Sequence, residues 1–268
     1  MTGRTIDLNS DLGEGYGAWR MADDAAMLDI VSSANIACGA HAGDPVVMAD
    51  TLALALARGV APRAHIGYPD RQGFGRRPMQ FDLRELELLT LTQLGAISAL
   101  AGAAGVRLTH ANFHGALGNL SFVDRDVARV LIGALRSFDS DLAFVGLPHT
   151  AAADEAERQG LRLVRSFLAD RAYNPDGTLV SRKQSGAVIH DQAAVAARIA
   201  QALTEGTVRA IDGSLIAMPV DSILIHSDTA GAVELAQAIR RTVEEAGFTV
   251  VPFATPRGLN IPSRNENA

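Results

Sequence analysis

Histidines and carboxylates gather in four short stretches of this chain. The stretch THANFHGALGNL (109–120) places His110 and His114 four apart, with Asn112 between them. On a helix that spacing would put both imidazoles on one face. Here the first falls at the end of an expected strand and the second in the loop after it. Both could still reach one ion, and with Asp11 they make a two-histidine, one-carboxylate set competent for a divalent metal. The same groups could serve as acid, base and orienting group with no metal. HxxxH spacing alone does not choose between these, or between them and a histidine hydrogen-bonded into the structure.

The stretch DLNSDLGEGYG (7–17) carries Asp7, Asp11 and Glu14. In a strand, Asp7, Asn9 and Asp11 share a face. Carboxylates there can bind a cation, act as a base, or simply cap turns. NIACGAHAGDP (35–45) surrounds His41 with small residues, which leave room for a ligand. Asp44 and Pro45 then mark a helix start, whose amides and dipole would face an anion unless Asp44 takes them as a cap. Cys38 reads as a small buried residue rather than a nucleophile. AHIGYPDRQGFGRR (64–77) is glycine-rich and basic, and matches neither a Walker loop nor a dinucleotide fingerprint. His65 opens it, and Asp70 precedes Arg71, Arg76 and Arg77, which could grip carboxylate or phosphate with paired donors. A solvated loop is the plainer alternative.

Strand and helix patterns alternate beneath these stretches. Strands are expected at 5–9, 60–66, 106–112, 141–147, 161–169, 220–227 and 248–253. Helices are expected at 23–34, 44–56, 82–104, 124–137, 151–159, 191–204 and 230–245, with Asp82 and Glu85 forming a capping box. Repeated β-α order with short connections argues for a parallel sheet covered by helices. Periodicity leaves a closed barrel and an open doubly wound sheet both open. In either, sites lie beyond the carboxyl ends of strands, where His65, His110, His114 and His226 fall. No linker divides the chain, so residues 1–268 read as one domain. Residues 171–189 form a polar excursion suited to a lid, with Asp176-Gly177 as its turn. Residues 263–268 read as a flexible tail.

The 268 residues are 48% hydrophobic and 20% charged, with net charge -6, which permits a sizeable core. There is no basic stripe, and three Tyr and one Trp make no aromatic ladder, so nucleic acid is not expected as a partner. One cysteine excludes an intrachain disulfide and a four-cysteine zinc site, and suits a reducing compartment. No signal region opens the sequence, and no run approaches the roughly 20 apolar residues of a membrane span. The expectation is a soluble cytoplasmic protein without a membrane partner.

DLNSDLGEGYG, ANIACGAHAGDP, GYPDRQGFGRR, HGAL, ADRAY and DGTLV, in this order, resemble the LamB/YcsF family from about residue 5 to about residue 253. The resemblance implies a distorted, TIM-like, seven-stranded β/α barrel of the glycoside hydrolase and deacetylase type. It implies one component of an ATP-dependent 5-oxoprolinase, which opens the lactam of 5-oxo-L-proline to L-glutamate with partner subunits B and C. The expected cofactor is ATP with Mg²⁺. By the same resemblance the cleft holds Asp11, Glu14, His41, Asp44, His65, Asp70, Arg76 and His114. Asp11 or His114 would move the proton, with Glu14 and His65 beside them. His41, Asp44, Asp70, Arg76 and Asn112 would surround the cofactor. A divalent metal at the rim would draw on Asp11, His41, His110 and His114.

The sequence also departs from the family pattern. Asn112 stands where the family has lysine, Phe113 where it has proline, and Gly118 where it has tyrosine. Ala40, Ile66, Ser166 and the stretch HSDTAGA (226–232) differ too. Asparagine cannot carry the lysine's charge. The alternatives are therefore a divergent metal-dependent hydrolase acting on another lactam or amide, and a non-catalytic assembly protein. A homo-oligomer is also open.

Overall fold

Most helices start on a polar cap. Asp23, Asp44, Asp82, Asp124, Thr150 and Asp191 each accept a hydrogen bond from an amide of the first helical turn. In a computed structural model of the chain, residues 4–229 and 231–254 are described. The tail expected at 263–268 lies outside them. The first half runs β1 (Arg4–Leu12), α1 (Asp24–Leu28), β2 (Ser33–Ala37), α2 (Pro45–Ala57), β3 (Ala61–Ile66), α3 (Leu83–Ala103), β4 (His110–Phe113), α4 (Gly115–Val123) and α5 (Arg125–Phe138). The second runs β5 (Ala143–Gly146), α6 (Ala151–Gln159), β6 (Arg162–Leu168), α7 (Gln192–Glu205), β7 (Thr207–Arg209), β8 (Leu215–Ala217), β9 (Ser222–Ile225), α8 (Ala232–Glu245) and β10 (Phe248–Val250).

Strands β1 to β6 pair in sequence order, all parallel, and β9 joins β6 to β1. This closes a distorted seven-stranded, TIM-like barrel surrounded by helices. β9 bonds β1 only along Asp7–Ser10, and β10 takes the free edge below it at Arg4–Ile6. β7 and β8 form a separate antiparallel hairpin.

The barrel interior is unusually polar. Asp7, Asn9 and Asp11 of β1, Ser33 and Asn35 of β2, Arg63 and His65 of β3, and Ser222 of β9 are all buried. Asp7 accepts bonds from Ser32, Ser33, Ser222 and Arg63. Asn9 donates to Ser222 Oγ and to the Ile223 carbonyl, and Asn35 donates to Asn9 Oδ1 at 2.7 Å and to Asp11 Oδ1 at 2.9 Å. Buried polar groups must be paired, and here the pairing runs as one ladder from the amino end of β1 to its carboxyl rim.

Several segments differ from expectation, the β7–β8 hairpin among them, which falls where no element was expected. The helix expected over 23–34 ends at Leu28, and Ser33–Ala37 is strand β2. β2 is only five residues long, and Ser-Ala-Asn-Ile-Ala holds one β-branched residue, so it carries little strand signal. β4 begins at His110 rather than 106, since β5 pairs with it only from His110 and β3 only from Ala111. Helix α4 was not anticipated, because its two glycines read as loop. A Cβ at Gly118 would lie 2.6 Å from the Phe113 carbonyl oxygen, so a larger residue there needs the backbone to shift. Helix α3, with 21 residues and mean hydropathy 1.4, is long and apolar enough to cross a membrane by length and composition, contrary to the expectation that no run approaches this. It buries Leu86, Leu94, Ile97 and Ala101 against the barrel and α5, and Gln93 bonds both the amide and the carbonyl of Gly67.

Candidate active site at the carboxyl end of the barrel

Four strand ends supply one buried cluster. Glu14 follows β1, His41 follows β2, His65 lies in β3 and His114 follows β4. One ligand atom from each falls within 4.8 Å of the others. Glu14 Oε1 lies 3.1 Å from His41 Nε2, 3.4 Å from His114 Nδ1 and 3.7 Å from His65 Nε2. His65 Nε2 lies 2.9 Å from His114 Nδ1 and 3.4 Å from Asp11 Oδ1. These four could coordinate a divalent ion.

The rings are held from outside. His65 Nδ1 meets Asn112 Oδ1 at 2.9 Å, and His114 Nε2 donates to the Phe74 carbonyl at 2.8 Å. Phe74 has φ 53°, a left-handed conformation that costs a bulky residue and persists where the surroundings enforce it. His41 stacks on His114 with centroids 3.9 Å apart. Gly67 and Gly75 pack on the rings; a Cβ at Gly75 would lie 2.7 Å from His41 Cβ.

Burial and the nearby Asp11 push the Glu14 carboxyl well above the usual carboxylate range. Burial also opposes ionisation of Asp11, but His65, His226, His114 and the Asn35 bond outweigh it and hold that carboxyl low. Burial and neighbouring histidines push His41 well below its ordinary value and His114 down to about 3. Two carboxyls driven apart in this way can divide acid and base roles.

A cavity of about 640 Å³ opens beside the cluster. Asp11, His65, Asn112 and His114 form one wall, and Ser166 and His226 another. Arg182 and Lys183 of the 171–189 segment face them, while Glu14 and His41 lie outside the wall. His226 Nδ1 lies 2.9 Å from Asp170 Oδ2. Burial opposes charge on this imidazole, but Asp170 and Asp11 raise its pKa above the ordinary value.

The sequence pattern of the LamB/YcsF family matches residues 6–258. The chain belongs to the LamB/YcsF family. Relatives include a Ralstonia nicotianae protein named as a 5-oxoprolinase A-component, which is 54% identical over 76% of this chain and 78% of its own length. A Pseudomonas syringae pv. tomato protein named in the same way is 48% identical over 92% of this chain and 96% of its own. The crystal structure of a lactam utilization protein from Thermus thermophilus has a TM-score of 0.88 at 41% identity, covering 92% of this chain and 99% of that one.

Of the residues singled out in this LamB/YcsF sequence, Asp11, Glu14, His41, His65 and His114 come together. Asn112 touches His65, and Arg76 lines the cavity while pairing with Asp228 at 2.8 Å. The other three lie elsewhere. Asp44 caps α2 through Val46 and Val47 and accepts the Gly17 amide. Asp70 pairs with Arg77 and accepts the Gly73 amide, which fixes the 70–77 loop. His110 sits lower in the barrel beside Thr109 Oγ1, at 2.6 Å. The cluster thus holds Glu14 and His65 where the sequence suggested Asp11 and His110 as ligands. Cys38 is buried, its thiol pushed up to about 12.

Sequence reasoning did not single out Asp170, Arg182 or Lys183. Asp170 stands in the ADRAY motif directly after β6, so its strand-end position was the available signal. Nor did it find the start of α4, where His114 makes no side-chain cap bond and Gly115 and Ala116 enter the cavity wall.

Proposed function

We propose that this chain is the A-component of an ATP-dependent 5-oxoprolinase, opening 5-oxo-L-proline to L-glutamate with partner subunits B and C in the cytoplasm. Relatives of that name at 54% and 48% identity carry the reading. The cavity supports it, since its volume suits a small molecule and its arginines suit an anionic one.

A lactam is a stable amide; ATP with Mg²⁺, when bound, would supply the activation by transferring a phosphoryl group to the amide oxygen and leaving ADP. Arg182, Lys183 and the start of α4, which has no side-chain cap although the Ala116 amide donates to the Gly75 carbonyl, suit the phosphates and the substrate carboxylate. Asp11, ionised at the cavity wall, takes a proton from water directed at the ring carbon. His65 and His114, held by Asn112 and the Phe74 carbonyl, shape the wall beside that water. His226, whose pKa Asp170 raises, returns a proton to the ring nitrogen as the C–N bond breaks, leaving a γ-glutamyl phosphate that a second water hydrolyses to glutamate and phosphate. Glu14 and His41 brace the wall from behind.

Glutamate release from 5-oxo-L-proline tests the reading, with and without ATP and purified subunits B and C. Release only in the complete mixture supports it. Absence of release from folded, assembled protein sinks it. The second reading is a divergent metal-dependent hydrolase acting alone on another lactam or amide. Asn112 in place of lysine and the three-histidine cluster favour it, and it requires activity without partners that a chelator removes.

A further inference from the structure

We infer that Glu14, His41, His65 and His114 form a resident site for a divalent transition metal of the zinc class, distinct from any Mg²⁺ that accompanies a nucleotide. The inference does not rest on the oxoprolinase reading.

Three imidazoles and one carboxylate are an unsuitable set for Mg²⁺, which prefers oxygen ligands and retained water. They suit zinc and its neighbours. Two of the three outer nitrogens, those of His65 and His114, behave as those of metal-bound histidines do, facing a carbonyl or amide oxygen, while His41 Nδ1 is buried with no partner among the described residues. His65 Nδ1 faces Asn112 Oδ1 at 2.9 Å and His114 Nε2 faces the Phe74 carbonyl at 2.8 Å. With protons on those nitrogens, His65 Nε2 and His114 Nδ1 present lone pairs to each other at 2.9 Å. Two bare lone pairs at that distance repel. Two nitrogens bound to one zinc at about 2.1 Å lie roughly 3.0–3.4 Å apart, close to the spacing seen. Glu14 Oε1 completes the set, within 3.7 Å of a nitrogen of each ring.

One metal-free arrangement competes. If the Asn112 amide is turned over, it donates to His65 Nδ1, and His65 Nε2–H then donates to His114 Nδ1. That closes the pair with a proton.

The test is calorimetric titration of chelator-stripped, folded protein with Zn²⁺, Mn²⁺ and Mg²⁺ separately, with metal content measured after dialysis and melting temperature followed. The site predicts one tightly bound Zn²⁺ per chain, a raised melting temperature and no comparable Mg²⁺ binding. Glu14→Gln and His65→Ala should each weaken zinc at least about 100-fold, and Asn112→Ala about 10–100-fold through loss of the outer bond. The exposed-histidine variant His190→Ala should bind as the parent does. Failure of the parent protein to take up zinc overturns the inference, as does zinc binding unchanged in Glu14→Gln. Neither result touches glutamate release, so the proposed function stands or falls separately.

Discussion

Asp7→Asn keeps the shape of the side chain and removes its charge. Asp7 and Arg63 are fully buried partners joined through Arg63 Nη2, and Arg63 Nε and Nη1 have no partner among the described residues. Nothing nearby can take over the role of the lost carboxylate. Breaking a buried pair from one side costs about 3–5 kcal/mol, and this case belongs at the upper end. Arg63→Met should cost less, about 1.5–3 kcal/mol, because Asp7 keeps the hydroxyls of Ser32, Ser33 and Ser222. The double variant should then cost less than the sum of the singles, by about 2 kcal/mol or more. Urea unfolding monitored by circular dichroism reads all four proteins, compared at constant slope. A loss below about 1 kcal/mol for Asp7→Asn, as for an exposed pair, would refute the reasoning. So would strict additivity in the double variant.

Other outcomes follow from the site. In metal-free protein, the unfolded chain protonates His114 near 6.5 while the folded chain resists until about 3, so stability falls as pH drops through that window. His114→Gln should remove up to about 1.4 kcal/mol per pH unit from that slope; an unchanged slope between pH 4 and 6 would contradict it. Asp170→Asn should cost about 1.5–3 kcal/mol, because a charged hydrogen bond is lost. The folded pKa of His226 is raised, so its contribution is full below 6.5 and lost as pH rises through the folded value; the gap between parent and variant should narrow with rising pH in thermal melts. Arg182→Ala should raise KM for an anionic substrate about 10-fold or more with a smaller change in kcat, and equal KM values would remove Arg182 from the binding wall.

Helix starts were legible because caps are local: Asp44 and Asp82 carry their chemistry within three residues. β2 was not, because its five residues hold a single β-branched side chain and no turn signal sets them apart from the helix before them. The cluster was legible in outline, since His65 and His114 each fall at an expected strand end and His41 sits among small residues just before a capped helix. Its membership was not. His110 and His114 are near neighbours in sequence, yet extended chain advances about 3.3 Å per residue, which carries His110 far down the barrel. Glu14 displaces Asp11 from the cluster through the course of one loop, which spacing does not encode. Arg182 reaches the cavity only because residues 171–189 fold back across the rim.

The hydrogen-bonded barrel interior also bears on how this family can change. Aliphatic layers can drift, since one methyl group can be traded for another of similar volume. An interior made of donors and acceptors has direction as well as volume. A single exchange at Asp7, Asn9, Asn35, Arg63 or Ser222 orphans a partner, so workable routes must alter two or three of these together. Such positions would stay fixed across relatives through mutual constraint alone. Invariance there would therefore mark the scaffold, and a search for reactive residues by invariance would be drawn first to the bottom of the barrel and away from the rim.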